Sequence, residues 1–255
     1  MTTLETATTP PRIGDRTVEL VVLDMAGTTV CDDGLVERAF ALAAERAGFA
    51  PEGEARERAL QYVRDTMGQS KIAVFRVLTG DEDLAQRANA EFEGAYAELV
   101  AELGVSAIAG AAETVRLLRE AGASVVLTTG FAPATRDAIL DALDWHDLAD
   151  AALAPADAGR GRPYPDLPLT ALLRTGAGSV GSMVVVGDTQ SDIGSGLAAG
   201  AGLVVGVLTG THGRAEFEAA GAHAIIESIA DLPALLGLPG LPGPSILPGL
   251  PGLEA

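Results

Sequence analysis

Four short segments of this sequence place a residue that could do chemistry directly after a run of apolar residues. In the first, the apolar run from Leu20 to Leu23 ends on Asp24, and Gly27 and two threonines follow. Such a run is typical of a buried parallel strand, and ligands bind beyond the carboxyl ends of these strands. Asp24 is therefore expected at the mouth of a site, where turn amides and hydroxyl groups could bind an oxyanion. Taken alone, the segment is also compatible with an aspartate that only caps the next turn.

The other three segments add hydroxyl groups, a cation and two further acids. Thr128 and Thr129 end a second apolar run, Arg162 lies in a Gly-Arg-Pro-Tyr-Pro string, and Asp188 and Asp192 flank the start of a helical pattern. The carboxyl ends of parallel strands meet at one edge of a sheet, so these side chains should gather there. Mg²⁺ prefers carboxylate oxygens, and the hydroxyl groups and the cation suit a phosphate group. The four segments together predict phosphoryl chemistry around one divalent ion.

The elements that must position these segments alternate along most of the chain. Short buried strands are predicted at residues 20–23, 124–130, 151–154, 182–188, 202–207 and 222–226, and helices at 111–121, 133–144, 166–175, 190–200, 214–220 and 229–236. This alternation predicts an α/β fold with a doubly wound, Rossmann-like parallel sheet. Residues 35–103 show helical periodicity and no strand, so we expect an all-helical cap domain inserted over the sheet edge. The catalytic core would then comprise residues 18–34 and 104–236.

Composition limits the partners and the compartment. The 255 residues carry a net charge of −18, which argues against binding to nucleic acid or to an anionic membrane. Cys31 is the one cysteine, so an internal disulfide is excluded, and no apolar stretch is long enough to span a bilayer. We therefore expect a soluble cytoplasmic protein. Residues 1–17 are expected to be flexible, and the Gly- and Pro-rich residues 237–255 a disordered tail without an assigned function.

Across roughly residues 17 to 235, the order of these motifs resembles the haloacid dehalogenase superfamily, in its phosphohydrolase branch. Within it, the chain is most similar to the phosphonatase-like subgroup. Most phosphohydrolases of the superfamily read Asp-x-Asp-x-Thr at the first strand. This chain reads Asp24-Met-Ala26-Gly-Thr28, like the phosphonatase pattern Asp-x-Ala-Gly-Thr. Arg162 also replaces the lysine that is usual in the third motif, which is a further phosphonatase trait.

Ala26 matters because the acid that it replaces serves as general acid and base when a phosphate ester is cleaved. A phosphonate has carbon as its leaving group, so its cleavage needs an electron sink instead of a proton donor. The resemblance implies that a cap lysine supplies this sink as a protonated Schiff base with the substrate aldehyde. The chain has a single lysine, Lys71, and it stands in a Met-Gly-x-x-Lys string that matches the phosphonatase pattern.

The setting of Lys71 favours a reactive amine. Apart from Lys71, all of the lysine and arginine positions are arginine, and a guanidinium cannot form an imine. Ser70 is expected to be a helix N-cap, which would place Lys71 in the first turn, where the helix dipole should lower the pKa of its amine. A surface lysine without a role is the alternative. One residue departs from the subgroup: Val74 stands where phosphonatases usually carry a histidine.

The motifs and the resemblance together assign a role to each residue of the site. Asp24 would attack phosphorus and form an aspartyl-phosphate, and Lys71 would activate the aldehyde carbon. The remaining assignments are Thr128 or Thr129 with Arg162 for the phosphoryl oxygens, and Asp24, the Ala26 carbonyl, Asp188 and Asp192 for Mg²⁺.

The expected function is Mg²⁺-dependent cleavage of the C–P bond of phosphonoacetaldehyde or a similar small phosphonate. A phosphomonoesterase of the same superfamily, acting on a small metabolite, is the nearer alternative, with Lys71 only contacting the substrate. A non-catalytic phospho-acceptor module is the remote alternative, because it needs no helical insert. The expected partner is therefore a small phosphonate or phosphate ester, and assembly into a homodimer is compatible with the sequence.

Overall fold

A computed structural model describes residues 9–31, 33–50 and 52–241, and a parallel sheet lies at its centre. The strands are β1 (Arg12–Ile13), β2 (Arg16–Thr17), β3 (Leu20–Asp24), β4 (Ser124–Thr128), β5 (Ala151–Leu153), β6 (Met183–Gly187), β7 (Leu203–Val207) and β8 (Ala224–Ile226). Strands β3 to β8 form the sheet in the order β5-β4-β3-β6-β7-β8, and all neighbouring pairs are parallel. The strand order reverses between β3 and β6, as in a doubly wound fold, which confirms the predicted fold class.

Helices lie between and after the strands of the sheet and cover both of its faces. They are α1 (Leu35–Ala47), α2 (Gly53–Asp65), α3 (Lys71–Thr79), α4 (Glu82–Leu103), α5 (Ala111–Glu120), α6 (Pro133–Leu143), α7 (Pro155–Ala158), α8 (Asp166–Thr175), α9 (Gln190–Ala199), α10 (Arg214–Ala220) and α11 (Leu232–Leu235). All five residues of β3 are buried, and successive residues join opposite cores. Val21 and Leu23 belong to one apolar cluster and Leu20 and Val22 to the other. A strand buried on both faces reads as a continuous apolar run, which is why it could be predicted.

The interval between β3 and α5 contains the four helices α1 to α4 and, among its described residues, no strand. This interval is the cap (residues 35–103), the inserted helical domain that the sequence predicts. Aromatic rings from three of its helices pack together: the Phe40 and Phe75 ring centres are 5.5 Å apart, and those of Phe92 and Tyr96 are 6.0 Å apart. Buried rings of this size contribute much of the apolar area that stabilises a small helical unit.

The ends of the chain differ from the prediction. Residues 12–17, expected to be flexible, form an antiparallel hairpin, because Gly14 (φ 55°) allows the turn and the Arg12 amide donates to the Leu236 carbonyl over 2.9 Å. Leu238, predicted to lie in the disordered tail, is buried. Residues 1–8 and 242–255, which include the rest of that tail, lie outside the described residues. The predicted helix at 229–236 is a short 3₁₀ turn followed by α11.

Almost all buried apolar side chains of the described residues belong to these two clusters. None of the helices in this part of the chain combines the length and the apolar character needed to cross a membrane.

Candidate active site

Asp24 is the last residue of β3 and lies at the carboxyl edge of the sheet, in register with Thr128, the last residue of β4. The chain turns sharply after it, because the amide of Gly27 (φ 85°) donates to the Val30 carbonyl over 2.8 Å. The Thr29 hydroxyl donates to the Asp24 carbonyl over 2.9 Å. These bonds fix the backbone of Asp24, and its buried side chain faces a cavity at the sheet edge. The acid is therefore presented to a ligand and does not only cap a turn.

A buried arginine connects residues from three of the four predicted segments. The Arg162 guanidinium donates to Asp24 Oδ1 over 2.6 Å and to Asp192 Oδ1 over 2.8 Å. It also donates to Thr128 Oγ1 over 2.6 Å. Burial disfavours its charge, but the two carboxylates outweigh this effect and raise the pKa of Arg162. Arg162 thus remains a fixed cation at the edge of the sheet, as a phosphate-binding group requires.

Asp24, Asp188 and Asp192 form a buried cluster in which each offers a carboxylate oxygen within 4.8 Å of the others. Burial, reinforced by the charge of Asp192, raises the pKa of Asp188 to about 7. Burial also raises the pKa of Asp24 well above its ordinary value, against the attraction of Arg162. Acids this close repel one another unless a cation lies among them. The cluster can therefore bind a metal ion that prefers oxygen ligands.

The two acids of the fourth segment are held in different ways. Asp188 lines the cavity, and its Oδ2 accepts the Thr211 amide over 2.9 Å. Asp192 Oδ2 accepts the Thr189 amide over 3.2 Å, so this side chain caps the start of α9. The other oxygen of Asp192 bonds to Arg162. Asp188 is thus the acid that faces a ligand, whereas Asp192 mainly holds the arginine and the helix in place.

Two glycines flank the Asp188 side chain so closely that a larger residue does not fit. A Cβ at Gly27 would lie 2.3 Å from Asp188 Oδ2, and one at Gly210 would lie 2.0 Å from the same atom. Gly210 lies in the loop after β7, where Thr209 donates to the Gly27 carbonyl over 2.7 Å. Residues 209–211 all line the cavity. Sequence reasoning missed this loop, although hydroxyl groups and a glycine shortly after a strand are the signal that identified the other segments.

We expect Gly210→Ala to reduce turnover about 100-fold, since a displacement of about 1 Å in a catalytic group costs this much. The added methyl would overlap the Asp188 carboxylate and force it or the loop to move. Because Gly210 is exposed on a loop, the thermal unfolding midpoint should change little. The control is Gly94→Ala in α4, where a Cβ meets nothing within 4 Å. Equal activity in the two variants would contradict the close fit around Asp188.

The site residues line a cavity of about 290 Å³ between the sheet edge and the cap. Its wall includes Thr129, whose hydroxyl accepts the Phe131 amide over 3.2 Å. The Thr128 hydroxyl instead donates to the Leu23 carbonyl over 3.3 Å and accepts from Arg162. The two threonines therefore separate as neighbours on a strand should. Thr129 thus faces the cavity, whereas the Thr128 hydroxyl is bonded to Arg162.

A turn of the cap, residues 68–70, packs against glycines of the core. A Cβ at Gly130 would lie 2.6 Å from the Gln69 carbonyl oxygen, and one at Gly161 would lie 2.7 Å from Ser70 Cβ. Arg162 donates to the Gly68 carbonyl over 3.4 Å. At this turn the cap and the core thus approach each other closely, because glycines of the core leave room for residues 68–70. This contact sets the distance between the next residue, Lys71, and the sheet edge.

Lys71 is the first residue of α3 and lines the same cavity as Asp24. It is only 6% exposed, and its Nζ lies 5.5 Å from the ring centre of Phe131 and 6.0 Å from that of Phe92. Lys71 is therefore not a surface lysine. Ser70 is the N-cap residue, as predicted, but its side chain forms no capping hydrogen bond. Val74, at the position where the subgroup usually has a histidine, is buried in the apolar core.

Comparisons with known proteins show which proteins this chain is similar to. A phosphonoacetaldehyde hydrolase of Bacillus cereus is 32% identical over 212 residues, covering 76% of this chain and 77% of its own. One of Bordetella pertussis is 27% identical over 92% of this chain and 95% of its own. A solved phosphonoacetaldehyde hydrolase-like protein from Oleispira antarctica superposes with a TM-score of 0.72, at 26% identity over 86% of this chain and 91% of its own.

The family pattern of the haloacid dehalogenase-like hydrolases matches residues 18–200, a span that starts just before β3 and ends just after α9. It thus contains the cap and all four of the predicted motifs. With its doubly wound sheet, its buried aspartates at the strand ends and this match, the protein belongs to the haloacid dehalogenase-like hydrolase family of enzymes.

Proposed function

We propose that this protein hydrolyses the C–P bond of phosphonoacetaldehyde, giving acetaldehyde and phosphate. The observation that carries the proposal is that Lys71 and Asp24 line one small cavity, the lysine from the cap and the acid from the sheet. An amine and a carboxylate placed in this way can engage the two ends of a short substrate that carries an aldehyde and a phosphonate. The named relatives from Bacillus cereus and Bordetella pertussis support the same substrate.

The lysine step comes first in the proposed reaction. Lys71 condenses with the aldehyde, releasing water and leaving a protonated imine next to the carbon that bears phosphorus. When the C–P bond breaks, its electron pair moves to that carbon and into the imine, which becomes an enamine. Protonation at carbon and addition of water then release acetaldehyde and the free amine. The imine therefore supplies the electron sink that a carbon leaving group needs.

Asp24 accepts the phosphoryl group. Its carboxylate attacks phosphorus as the C–P bond breaks, and water then releases phosphate from the aspartyl-phosphate. The ion pair with Arg162 holds Oδ1 of Asp24 and so fixes the direction of the other oxygen. Thr129 and Arg162 are expected to hold the phosphoryl oxygens, whose charge they complement through hydrogen bonds.

The acid cluster fits Mg²⁺. Its donors are all oxygens, they are buried, and Gly27 and Gly210 lie directly against the Asp188 carboxylate. Asp24, Asp188 and the Ala26 carbonyl are the expected ligands, and Arg162 links Asp192 to Asp24. When bound, Mg²⁺ would offset the negative charge of the phosphoryl oxygens, so that an anionic carboxylate can approach them.

Ala26 argues against the phosphate-ester alternative. Its side chain lies at the cavity wall and can neither protonate a departing alkoxide nor activate water. General acid–base catalysis of this kind contributes about 100-fold or more to the rate. An ester would therefore lose that contribution, whereas cleavage of a phosphonate through the lysine imine does not need it.

The test is a product assay on the purified protein. Phosphonoacetaldehyde should give acetaldehyde and phosphate in equal amounts, and small phosphate esters should react at least about 100-fold more slowly.

A chelator should abolish turnover without changing the far-ultraviolet circular dichroism, and Asp188→Asn should behave in the same way. Faster cleavage of an ester such as phosphoglycolate would replace this proposal with the phosphatase alternative. Full activity in the presence of the chelator would show that the reaction does not need a metal ion.

A further inference from the structure

Glu93, on the cap helix α4, binds the start of a core helix beside Lys71. Its Oε1 accepts the Ala132 amide over 3.4 Å, and its Oε2 accepts the Thr135 hydroxyl. Ala132 is the N-cap residue of α6 and its methyl group cannot cap the helix. The Glu93 carboxylate instead binds this helix end from across the cap–core boundary, through the amide of the N-cap residue and the hydroxyl of Thr135, where negative charge is favoured.

Two opposing effects act on the proton affinity of Glu93. Burial raises its pKa above the ordinary value, although the hydrogen bonds from Thr135 and Ala132 and the positive charge of Lys71 act against this. The charge of Lys71 therefore reaches Glu93, while α6 contributes a hydroxyl and an amide at this point. A half-buried carboxyl with a raised pKa takes up a proton more readily than an exposed one.

A second cavity of about 100 Å³ joins the two side chains. It shares Lys71, Gly130 and Phe131 with the substrate cavity, whereas Asp24 lines only the substrate cavity. Of the described residues that line it, Lys71 and Glu93 are the titratable ones. The volume is enough for water molecules, each of which needs about 30 Å³. Water held in this cavity would connect Lys71 with Glu93.

We propose that Glu93 is a positioning residue for Lys71. Glu93 directs the Lys71 amine and holds the proton that this amine must lose before the amine attacks the aldehyde. This inference rests on the proposed function, since it concerns the imine step. α3 offers no titratable group one turn beyond the lysine, because Val74 is there and is buried. Glu93, on the neighbouring helix α4, is therefore the group that can carry the proton.

The proton balance of the step closes on Glu93. The Lys71 ammonium gives a proton through water to the Glu93 carboxylate, and the neutral amine adds to the carbonyl carbon. A proton shift from nitrogen to oxygen gives the carbinolamine. The Glu93 carboxylic acid then returns its proton through water to the leaving hydroxyl, which departs as water, and the nitrogen lone pair forms the protonated imine. Glu93 ends as it began, and one water is released for each imine formed.

The test compares the rate of imine formation in three proteins, each mixed with phosphonoacetaldehyde and quenched with borohydride at timed intervals. Glu93→Gln keeps the size of the side chain and its carbonyl acceptor but cannot take the proton, so the rate should fall about 100-fold. Thr135→Val removes one of the bonds across the boundary and leaves the carboxylate, so it should stay close to the wild-type rate. Both variants should still form the Mg²⁺-dependent beryllium fluoride adduct at Asp24, which reports an intact core.

A further variant tests the role of the carboxylate directly. Formate is small enough for the space that Glu93→Ala leaves, so it should restore part of the imine rate in that variant and none in Thr135→Val. If Glu93→Gln and Thr135→Val were slowed equally, or if formate gave no rescue, Glu93 would only hold the cap against the core and would take no part in proton transfer. Imine formation at the wild-type rate in Glu93→Gln would overturn the inference and leave the proposed function standing. No imine in the wild-type protein would overturn both.

Discussion

Lys71→Arg is expected to lower the rate of C–P bond cleavage below about a thousandth of the wild-type rate. Loss of one member of a catalytic unit, here Lys71 acting with Asp24, is enough to cause a loss of this size. Arginine keeps the positive charge and most of the length, but its guanidinium cannot form an imine. Borohydride should therefore no longer attach the carbon skeleton of phosphonoacetaldehyde to the peptide that contains residue 71. The measurement is the phosphate release rate together with the mass of that peptide after reduction.

Two controls separate chemistry from folding and from unspecific labelling. Lys71→Arg should still form the beryllium fluoride adduct at Asp24, since the aspartate lies on the core and not on the cap. Arg76→Lys places a second amine on the exposed side of the same helix α3, where it should remain unlabelled. Surviving C–P cleavage in Lys71→Arg, or equal labelling of both amines in Arg76→Lys, would refute the imine mechanism.

Asp24→Asn is expected to lose phosphate release by a factor on the order of 10⁴ or more, because a carboxamide is a poor nucleophile and the attacking group is removed. The variant also loses the charged partner of Arg162 at 2.6 Å. Imine formation on Lys71 should continue, since it precedes attack on phosphorus. Borohydride should then trap more of the imine in Asp24→Asn than in the wild-type protein, because the imine no longer breaks down.

Asp33→Asn provides the matched control for this variant. Asp33 lines the same cavity but is exposed, and its positive φ of 45° is a conformation that asparagine also tolerates. It should release phosphate at close to the wild-type rate. Near-normal turnover in Asp24→Asn would place the nucleophile elsewhere, and loss of imine trapping in it would show that the lysine step does not come first.

Much of the fold could be predicted because each strand of this parallel sheet can be recognised from its own residues. Each central strand is a short apolar run between turn residues, as in residues 20–23 and 182–188, and needs no partner to be recognised. The register of parallel strands then brings their carboxyl ends together. Asp24, Thr128 and Asp188 could therefore be grouped from the positions of their strands alone.

The parts of the site that escaped prediction depend on contacts between distant segments. Gly210 matters only because its loop closes over Asp188, and Glu93 only because α4 crosses the start of α6. Nothing in the local sequence states these distances. The choice between Thr128 and Thr129 likewise depended on which face of β4 meets Arg162. The hairpin at 12–17 is too short to show a period.

The burial of a single lysine offers a way to measure how often the cap of this enzyme opens. Lys71 is 6% exposed beneath the contact between residues 68–70 and the core, and the sequence holds no other lysine. We therefore expect an amine-acylating reagent to react with Lys71 mainly when the cap moves away from the core. The rate of acylation at Lys71 would then report how often the cap opens, with no label introduced and no residue changed. Comparing that rate with the rate of product release would show whether lifting of the cap limits the catalytic cycle.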